Sequence, residues 1–270
     1  MMVDASQDRE RRLQWDACYN VRDLGGYATD DGRRTRWRAV LRGDNLCRLT
    51  SAGRAALLDA GVRTIVDLRS PSEVATFPHP FGNPSARDIP LPVTYLNLPL
   101  LDEADAAGAV AVRVAESVRA QYVLMLDRYP ARMATVLQAI VAAPSGAVLV
   151  HCHAGKDRTG LVSALLLELA GVPRPTIAED YALSDSYLQP LYAQLLTAAH
   201  DDAARERLRR LLVSSRETML SVLSYLDDRY GGPRAYLQAA GVTAGQFAHL
   251  RERLLAPSLP VASGQSSVND

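Results

Sequence analysis

A short apolar run, a polar turn and a long apolar segment follow one another in the second half of this chain. Residues 146–150 are apolar, residues 151–158 are polar and contain a glycine, and residues 159–170 are mostly apolar up to Gly171. This pattern predicts a buried strand, a tight turn and a helix that ends at the glycine. A strand that leads directly into a helix is typical of α/β folds with a parallel sheet.

The turn has the chemistry of a phosphate site. Free backbone N–H groups and the partial positive charge of a helix N-terminus favour an anion at this point. Cys152 and Arg158 are separated by five residues, a spacing that lets a thiolate and a guanidinium face one phosphate across a single loop. The same positive surroundings favour the thiolate form of the cysteine, which is the nucleophilic form.

The only lysine of the chain, Lys156, lies in this turn, and the other 29 basic residues are arginines. A compact ammonium differs from a guanidinium in reach and hydration, so its use at this one position indicates a specific role. Two roles are open. Lys156 is either a second counter-charge for the same phosphate or the partner of a further phosphate on the substrate, as in a phosphoinositide.

Two other kinds of site are excluded by the same residues. A Walker A loop is excluded because Val150 occupies its first glycine position and Asp157 stands where Ser or Thr must follow the lysine. The run His151-Cys152-His153 does not make a metal site, since adjacent residues of an extended chain point to alternating faces. We therefore expect neither a metal nor a cofactor.

Residues 151–160 match the pattern HCxAGKDRTG, and here the chain resembles the atypical bacterial family of cysteine-based tyrosine phosphatases. Outer segments resemble the same family in the same order along the chain. They are residues 20–27, residues 64–70 followed by Glu73, residues 177–184, and residues 230–232. The resemblance covers residues 18–255.

The resemblance implies a two-step reaction at the loop. Cys152 would attack phosphorus to form a thiophosphate, which water then hydrolyses, while Arg158 would hold two phosphate oxygens. Thr159 would donate its hydroxyl to the cysteine sulfur, or would serve only as a residue at the helix start. The expected substrate-binding residues are His153, Ala154, Gly155, Lys156 and Asp67.

The general acid is open between two carboxylates. The chain has no Trp-Pro-Asp sequence, so the mobile acid loop of eukaryotic tyrosine phosphatases is not expected. The resembled family implicates the aspartate inside the loop, which is Asp157. Asp67, at the end of a predicted strand, is the alternative general acid. Its other possible role is to orient Arg158.

These residues predict a phosphatase of phosphotyrosyl proteins, with activity toward phosphoserine, phosphothreonine and phosphoinositides as an extension. One alternative is a dedicated phosphoinositide phosphatase. Another is a module that binds phosphorylated partners without turnover, which the intact Cys152, Asp157 and Arg158 argue against.

Composition limits the partners and the compartment. The net charge is +0 and the pI is about 7.0, so we expect no nucleic-acid partner. Three cysteines do not form a disulfide framework and fit a reducing compartment. Residues 1–12 lack the apolar core of a signal peptide, and no apolar run is long enough to cross a membrane. We expect a cytoplasmic monomer; the resembled family also includes proteins exported without a signal peptide.

The expected fold class is α/β: a three-layer phosphatase fold with a mostly parallel central sheet flanked by helices. We expect one domain at residues 18–255, with tails at 1–17 and 256–270. Residues 176–255 are almost wholly helical, and by resemblance part of them forms a lid; helices packed permanently on the sheet are the alternative. Strands are predicted at 37–42, 62–67, 93–98 and 146–150. Helices are predicted at 51–60, 109–128, 131–142, 159–170, 187–199, 202–213, 216–230 and 243–254.

Overall fold

A five-stranded sheet forms the centre of the molecule. The structure is a computed structural model that describes residues 10–81 and 93–257. Its strand order is β1-β2-β5-β3-β4, and every neighbouring pair is parallel except β1 with β2. The strands are β1 (Arg22–Asp23), β2 (Val40–Gly43), β3 (Val62–Asp67), β4 (Thr94–Asn97) and β5 (Ala147–His151). The predicted mostly parallel sheet is confirmed.

Twelve α-helices and one 3-10 turn (Leu46–Arg48) complete the described part of the chain. The first six are α1 (Ser51–Asp59), α2 (Pro71–Thr76), α3 (Ala106–Val114), α4 (Val118–Arg128), α5 (Pro130–Ala142) and α6 (Asp157–Ala170). The last six are α7 (Arg174–Tyr187), α8 (Gln189–Ala198), α9 (Asp202–Leu212), α10 (Arg216–Tyr230), α11 (Pro233–Ala239) and α12 (Ala244–Leu254).

The two faces of the sheet are covered by two separate apolar cores. Along β5, Val148 and Val150 belong to the larger core, whereas Ala147 and Leu149 belong to the smaller one. Successive side chains of a strand point to opposite faces, so a strand that is apolar throughout must be covered on both. Helices α5 and α6 supply much of the larger core, and α1 contributes Leu57 to the smaller one. The sheet and the helices on its two faces are the three layers that were expected.

The carboxyl ends of the parallel strands meet at one edge of the sheet. The register pairs His151 with Gly43 on one side and with Asp67 on the other, and it pairs Asp67 with Asn97. The loop that follows β5 therefore begins in the middle of this edge. Open parallel sheets bind their ligands at this position.

Several predicted elements differ from the observed ones for local reasons. The helix predicted at 109–128 is two helices, because the chain leaves helical geometry after Val114 and Ser117 caps a new N-terminus through the N–H of Ala120. The strand predicted at 37–42 begins only at Val40. Arg38 has a φ of 58°, in the left-handed region that extended backbone cannot accommodate.

The N-terminal segment that was predicted as a tail is packed where the structure describes it. Trp15 is 5% exposed and lies in the smaller core, and Arg11 is 2% exposed. Arg11 donates to the carbonyl of Gly25 at 3.0 Å. The tail prediction is therefore wrong for residues 10–17. Residues 1–9 and 258–270 lie outside the described part of the chain.

The C-terminal helices differ in how firmly they pack. Helices α7, α10, α11 and α12 bury apolar side chains in the larger core. By contrast, α8 buries only Tyr192, and α9 buries none of its residues. Most of this region is thus packed on the core, whereas α8 and α9 bury few of their residues. None of the described helices combines the length and the apolar character that crossing a membrane requires.

Candidate active site

The loop between β5 and α6 surrounds Cys152, which is 2% exposed. The residue before it, His151, is fully buried, and its Nδ1 lies 3.1 Å from the carbonyl oxygen of Cys152. This contact ties the entry of the loop to the end of the strand.

Three successive loop carbonyls, those of residues 153–155, are all bound from outside the loop. The carbonyl of residue 153 accepts the N–H of Asn45 at 2.9 Å. The side-chain amide of Asn20 donates to the carbonyls of residues 154 and 155, at 3.0 and 3.2 Å. Arg42 also donates to the carbonyl of residue 155, at 2.8 Å. In a trans peptide the C=O and the following N–H point in opposite directions, so the N–H groups of residues 154–156 face the interior of the loop.

The beginning of α6 adds further donors. The helix starts at Asp157, and Lys156 at its N-cap provides no side-chain cap. The first N–H groups of a helix have no partner within the helix, so residues 157–159 present theirs at the same loop. Together with the preceding amides they form a ring of donors suited to a phosphate dianion.

Gly155 is required by the close approach of the loop to β2. Its φ is +65°, and a Cβ there would lie 2.4 Å from the carbonyl oxygen of Gly43. A side chain would therefore be both strained and in collision with backbone. The glycine lets the loop turn tightly enough to bring its amides together.

Arg158 is held by Glu73, not by Asp67. Its Nη1 and Nη2 donate to Oε2 and Oε1 of Glu73 at 2.5 and 2.7 Å. Burial would lower the pKa of Arg158, but Glu73 and then the nearby Cys152 raise it above its usual range. Burial would raise the pKa of Glu73, and the bonds from Arg158 instead lower it to about 2. The loop arginine is thus charged, oriented and near the cysteine.

Asp157 contacts two groups through one oxygen. Tyr122 donates to its Oδ1 at 2.7 Å, and the Lys156 ammonium lies 3.3 Å from the same atom. Tyr181 lies 2.7 Å from the hydroxyl of Tyr122. The side chain of Asp157 is 32% exposed, so this carboxylate is partly accessible to solvent.

Lys156 is buried, with 3% of its surface exposed. Its ammonium donates to the carbonyl of Leu211, in the last turn of α9. The C-terminal turn of a helix carries partial negative charge and free carbonyls, which suits a cation. In this conformation Lys156 connects the phosphate loop to α9.

Thr159 is fully buried, and its hydroxyl has no hydrogen-bond partner among the described residues. The expected hydrogen bond to the Cys152 sulfur is therefore not formed in this conformation. A buried hydroxyl without a partner is costly, and it is available to a group that arrives in the loop.

Asp67 lies behind the loop and is fully buried. Arg69 donates to it from Nε and Nη2, at 2.9 and 2.7 Å, and Tyr95 donates at 2.8 Å. Burial would raise the pKa of Asp67, but His151 and Arg69 outweigh it and lower the pKa to about 2. None of its described hydrogen bonds reaches Arg158, so the expected support of that arginine by Asp67 is wrong.

A group of metal-ligand type occurs at this place. Ligand atoms of Asp67, His79 and His151 lie within 4.8 Å of one another. However, His79 accepts the N–H of Phe81 at Nδ1, so its proton is on the Nε2 that a metal would need. The carboxylate of Asp67 is already bound by an arginine. These residues fit a buried polar cluster held by Arg69 better than a site for a divalent cation.

A second layer of polar side chains supports the loop from below. Asp180 accepts Arg22 at 2.8 Å, Arg42 at 2.6 Å and the hydroxyl of Tyr27 at 3.0 Å. Arg22 in turn donates to Asn20 at 2.5 Å. Burial would raise the pKa of Asp180, but the two arginines hold it well below its usual range. Asn20 and Arg42, which donate to the loop carbonyls, are therefore themselves held in place by hydrogen bonds.

Five of these residues were not among the expected site residues: Glu73, Tyr122, Asn20, Arg42 and Asp180. A usable signal existed for three of them. Asn20, Glu73 and Asp180 belong to the outer segments that resemble the family. Tyr122 and Arg42 lie in segments that looked like ordinary helix and strand, and only the fold brings them to the loop.

Known proteins that are similar to this chain in sequence fall in one family. A model described as the tyrosine phosphatase family matches residues 13–256. A tyrosine-protein phosphatase of Nostoc commune is 34% identical over 80% of this chain and 74% of its own. The triple specificity protein phosphatase PtpB of Mycobacterium tuberculosis is 27% identical over 88% of this chain and 96% of its own. The crystal structure of P. aeruginosa TpbA, 19% identical, covers 68% of this chain and 85% of its own at a TM-score of 0.33. The chain therefore belongs to the tyrosine phosphatase family, and it is a phosphatase.

Proposed function

We propose that this phosphatase hydrolyses phosphotyrosine in proteins through a thiophosphate on Cys152. The observation that carries the proposal is the orientation of the loop. The carbonyls of residues 153–155 are bound from outside, so the amides face inward around the cysteine. Relatives that are named tyrosine-protein phosphatases support the substrate class.

In the first step the Cys152 thiolate attacks phosphorus. A sulfur–phosphorus bond forms, and the phosphorus–oxygen bond to the tyrosine breaks. Arg158 and the loop amides hold the three other phosphate oxygens, whose charge is largest in the transition state. Asp157 gives its proton to the leaving phenolate.

In the second step water attacks the phosphorus of the thiophosphate, and the sulfur–phosphorus bond breaks. Asp157 takes the proton of the water, and the thiolate is regenerated with release of phosphate. Thr159 donates its unpartnered hydroxyl to the sulfur as negative charge returns to it. The cycle uses only groups of the chain and water.

Substrates other than phosphotyrosine form a second part of the proposal. The relative called a triple specificity protein phosphatase supports activity beyond phosphotyrosine, and phosphoserine and phosphothreonine are the further substrates included in the proposal. Phosphoinositide activity was expected from Lys156 as the partner of a further phosphate, and here its ammonium donates to the carbonyl of Leu211. Phosphoinositide hydrolysis would need this contact to open.

The test is turnover of four substrates in the presence of a chelator. They are peptides carrying phosphotyrosine, phosphoserine or phosphothreonine, and an inositol phosphate headgroup. Wild type should act most rapidly on phosphotyrosine, and Cys152→Ser should be inactive. Cys18→Ser, a half-buried cysteine outside the loop, is the matched control. Activity that survives in Cys152→Ser would contradict the thiolate mechanism.

Rapid quenching addresses the intermediate itself. During turnover of a labelled phosphotyrosine peptide, we expect label on Cys152 that is stable to base and lost on treatment with iodine. The Thr159→Ala variant should accumulate more of it, because breakdown slows when the leaving sulfur loses its donor. Absence of protein-bound label in both proteins would exclude the covalent step.

A further inference from the structure

A cavity of about 290 Å³ opens beside the phosphate loop. Its wall combines residues before and within the 3-10 turn, one loop residue, and one side of α8. The lining residues that bear on its chemistry are Asp44, Arg48, Phe77, His153, Leu191 and Leu195. Its size lies just below the range usual for small-ligand pockets.

The cavity begins at the residue that follows the nucleophile. The side chain of His153 lines it and packs against Phe77, with ring centroids 5.3 Å apart. The carbonyl of His153 is fixed by the N–H of Asn45 at 2.9 Å. An extended peptide advances about 3.3–3.6 Å per residue. Residues one or two positions from a phosphotyrosine in the loop would therefore reach this cavity.

One part of the wall is apolar. Leu191, Leu195 and Ala198 lie along one side of α8, and Phe77 faces the cavity as well. Leu195 is 39% exposed, which is a large exposure for a leucine that lines a concave surface. Such a wall favours an apolar side chain over a fully hydrated sugar or phosphate.

The other part of the wall carries an arginine. Arg48 is exposed, and its guanidinium forms no ion pair with a carboxylate of the described residues. Asp44 also lines the cavity, but its two oxygens accept the N–H groups of Tyr19 and Asn20, each at 2.9 Å. Arg48 is thus a cation at the cavity that has no carboxylate partner within residues 10–81 and 93–257.

We propose that this cavity is a specificity subsite for phosphotyrosine peptides. It binds residues next to the phosphotyrosine, an acidic side chain at Arg48 and an apolar one against the leucines of α8. The inference rests on the proposed function. A second phosphate of an inositol headgroup is the competing occupant, and the apolar wall disfavours it.

The experiment uses phosphotyrosine peptides that carry Glu, Gln or Lys at each of the two positions on either side of the phosphotyrosine. The measurement is kcat/KM for the full chain, at low and at raised ionic strength. Wild type should prefer Glu over Lys by about fivefold at one or more positions, as for an exposed ion pair. Salt should reduce this ratio.

Three variants assign the preference to one side chain. Arg48→Gln should bring the Glu-to-Lys ratio to about 1, and Arg48→Glu should invert it. Arg229→Gln, which removes an exposed arginine of α10 outside the cavity, should keep the wild-type ratio. A ratio that persists in Arg48→Gln would overturn the proposal.

A second peptide series tests the apolar wall. Peptides with Leu or Gly at the same positions should differ by roughly tenfold in kcat/KM with wild type. Leu195→Ser should reduce that difference, without altering the Glu-to-Lys ratio. Equal rates for Leu and Gly peptides in wild type would overturn this half of the inference.

The outcomes also separate the inference from the function on which it rests. Hydrolysis of all peptides at equal rates would overturn the subsite and leave the tyrosine phosphatase standing. Hydrolysis of none would overturn both. An inositol headgroup with two phosphates that outcompetes every peptide, through Arg48, would assign the subsite to the competing occupant and overturn the peptide proposal.

Discussion

Glu73 binds both terminal nitrogens of Arg158, at 2.5 and 2.7 Å, and it is also the capping residue of α2. The same carboxylate accepts the N–H of Ser70 at 2.9 Å, in a capping box at the N-terminus of that helix. The first turn of α2 therefore contributes a carboxylate that binds the loop arginine. A helix cap fixes the carboxylate, and the carboxylate fixes the plane of the loop arginine.

Replacement of Glu73 should affect catalysis through Arg158. In Glu73→Gln the guanidinium loses a charged, two-point partner, and we expect kcat/KM for an aryl phosphate to fall about 10- to 100-fold. Glu103→Gln is the matched control, because Glu103 accepts the N–H of Ser72 at 3.0 Å in the same helix. An equal fall in kcat/KM in both variants would show that the loss comes from a weakened helix N-terminus and not from Arg158.

The same pair should contribute to acid stability. The pKa of Glu73 is about 2 when folded and about 4.3 when unfolded, so the ionised carboxylate stabilises the folded state above about pH 4.3. That contribution is lost as the pH falls toward 2. The free energy of unfolding should thus differ between wild type and Glu73→Gln at pH 6, and the difference should shrink at pH 3. Urea unfolding at both pH values measures it, and a constant difference would contradict the prediction.

The general acid can be identified by its dependence on the leaving group. Asp157→Asn should slow phenyl phosphate much more than p-nitrophenyl phosphate, because the poorer leaving group needs the proton. Asp67→Asn should show no such selectivity, since Arg69 and Tyr95 bind that carboxylate behind the loop. The measurement is kcat for both esters. A selective loss in Asp67→Asn would transfer the acid role to that residue.

Buried His79 should make the fold sensitive to acid. Burial lowers its pKa to about 2, so only the unfolded chain binds a proton near pH 6.5, and stability falls as the pH drops below that value. Between pH 7.5 and 5.5 this costs about 1.4 kcal/mol. His79→Asn keeps an acceptor for the N–H of Phe81 and should remove that part of the decline. Unfolding free energies at the two pH values test it; an unchanged decline would contradict it.

Gly155 should be far less replaceable than an exposed glycine of similar φ. Gly155→Ala places a Cβ 2.4 Å from backbone of Gly43, whereas Gly32, with a φ of +80°, has nothing within 4 Å. Gly32→Ala should cost about 1 kcal/mol for the backbone conformation alone. Gly155→Ala should cost about 1–3 kcal/mol more and weaken inhibition by inorganic phosphate. Equal costs would show that the loop relaxes freely.

Local pattern was sufficient wherever neighbours in sequence determine the structure. The helix from Ser51, capped by Thr50, and the capping box of Thr243 with Gln246 form as their residues predict. The strand at 62–67 was predicted at its observed bounds. These features depend on contacts within a few residues. Local signals failed at the break after Val114, because residues 115–117 contain neither the glycine nor the proline that usually marks a helix end.

The sequence by itself determined the strand, loop and helix that carry Cys152 and Arg158, because these residues are adjacent in the chain. It also indicated the phosphatase family, through the loop pattern. Only the tertiary structure decided that Glu73 meets Arg158 across 85 residues, that Asp67 is turned away, and that Lys156 binds α9. The physical reason is the order of the sheet. Strand pairing brings distant carboxyl ends to one edge, and side chains meet there by register, which no short stretch of sequence encodes.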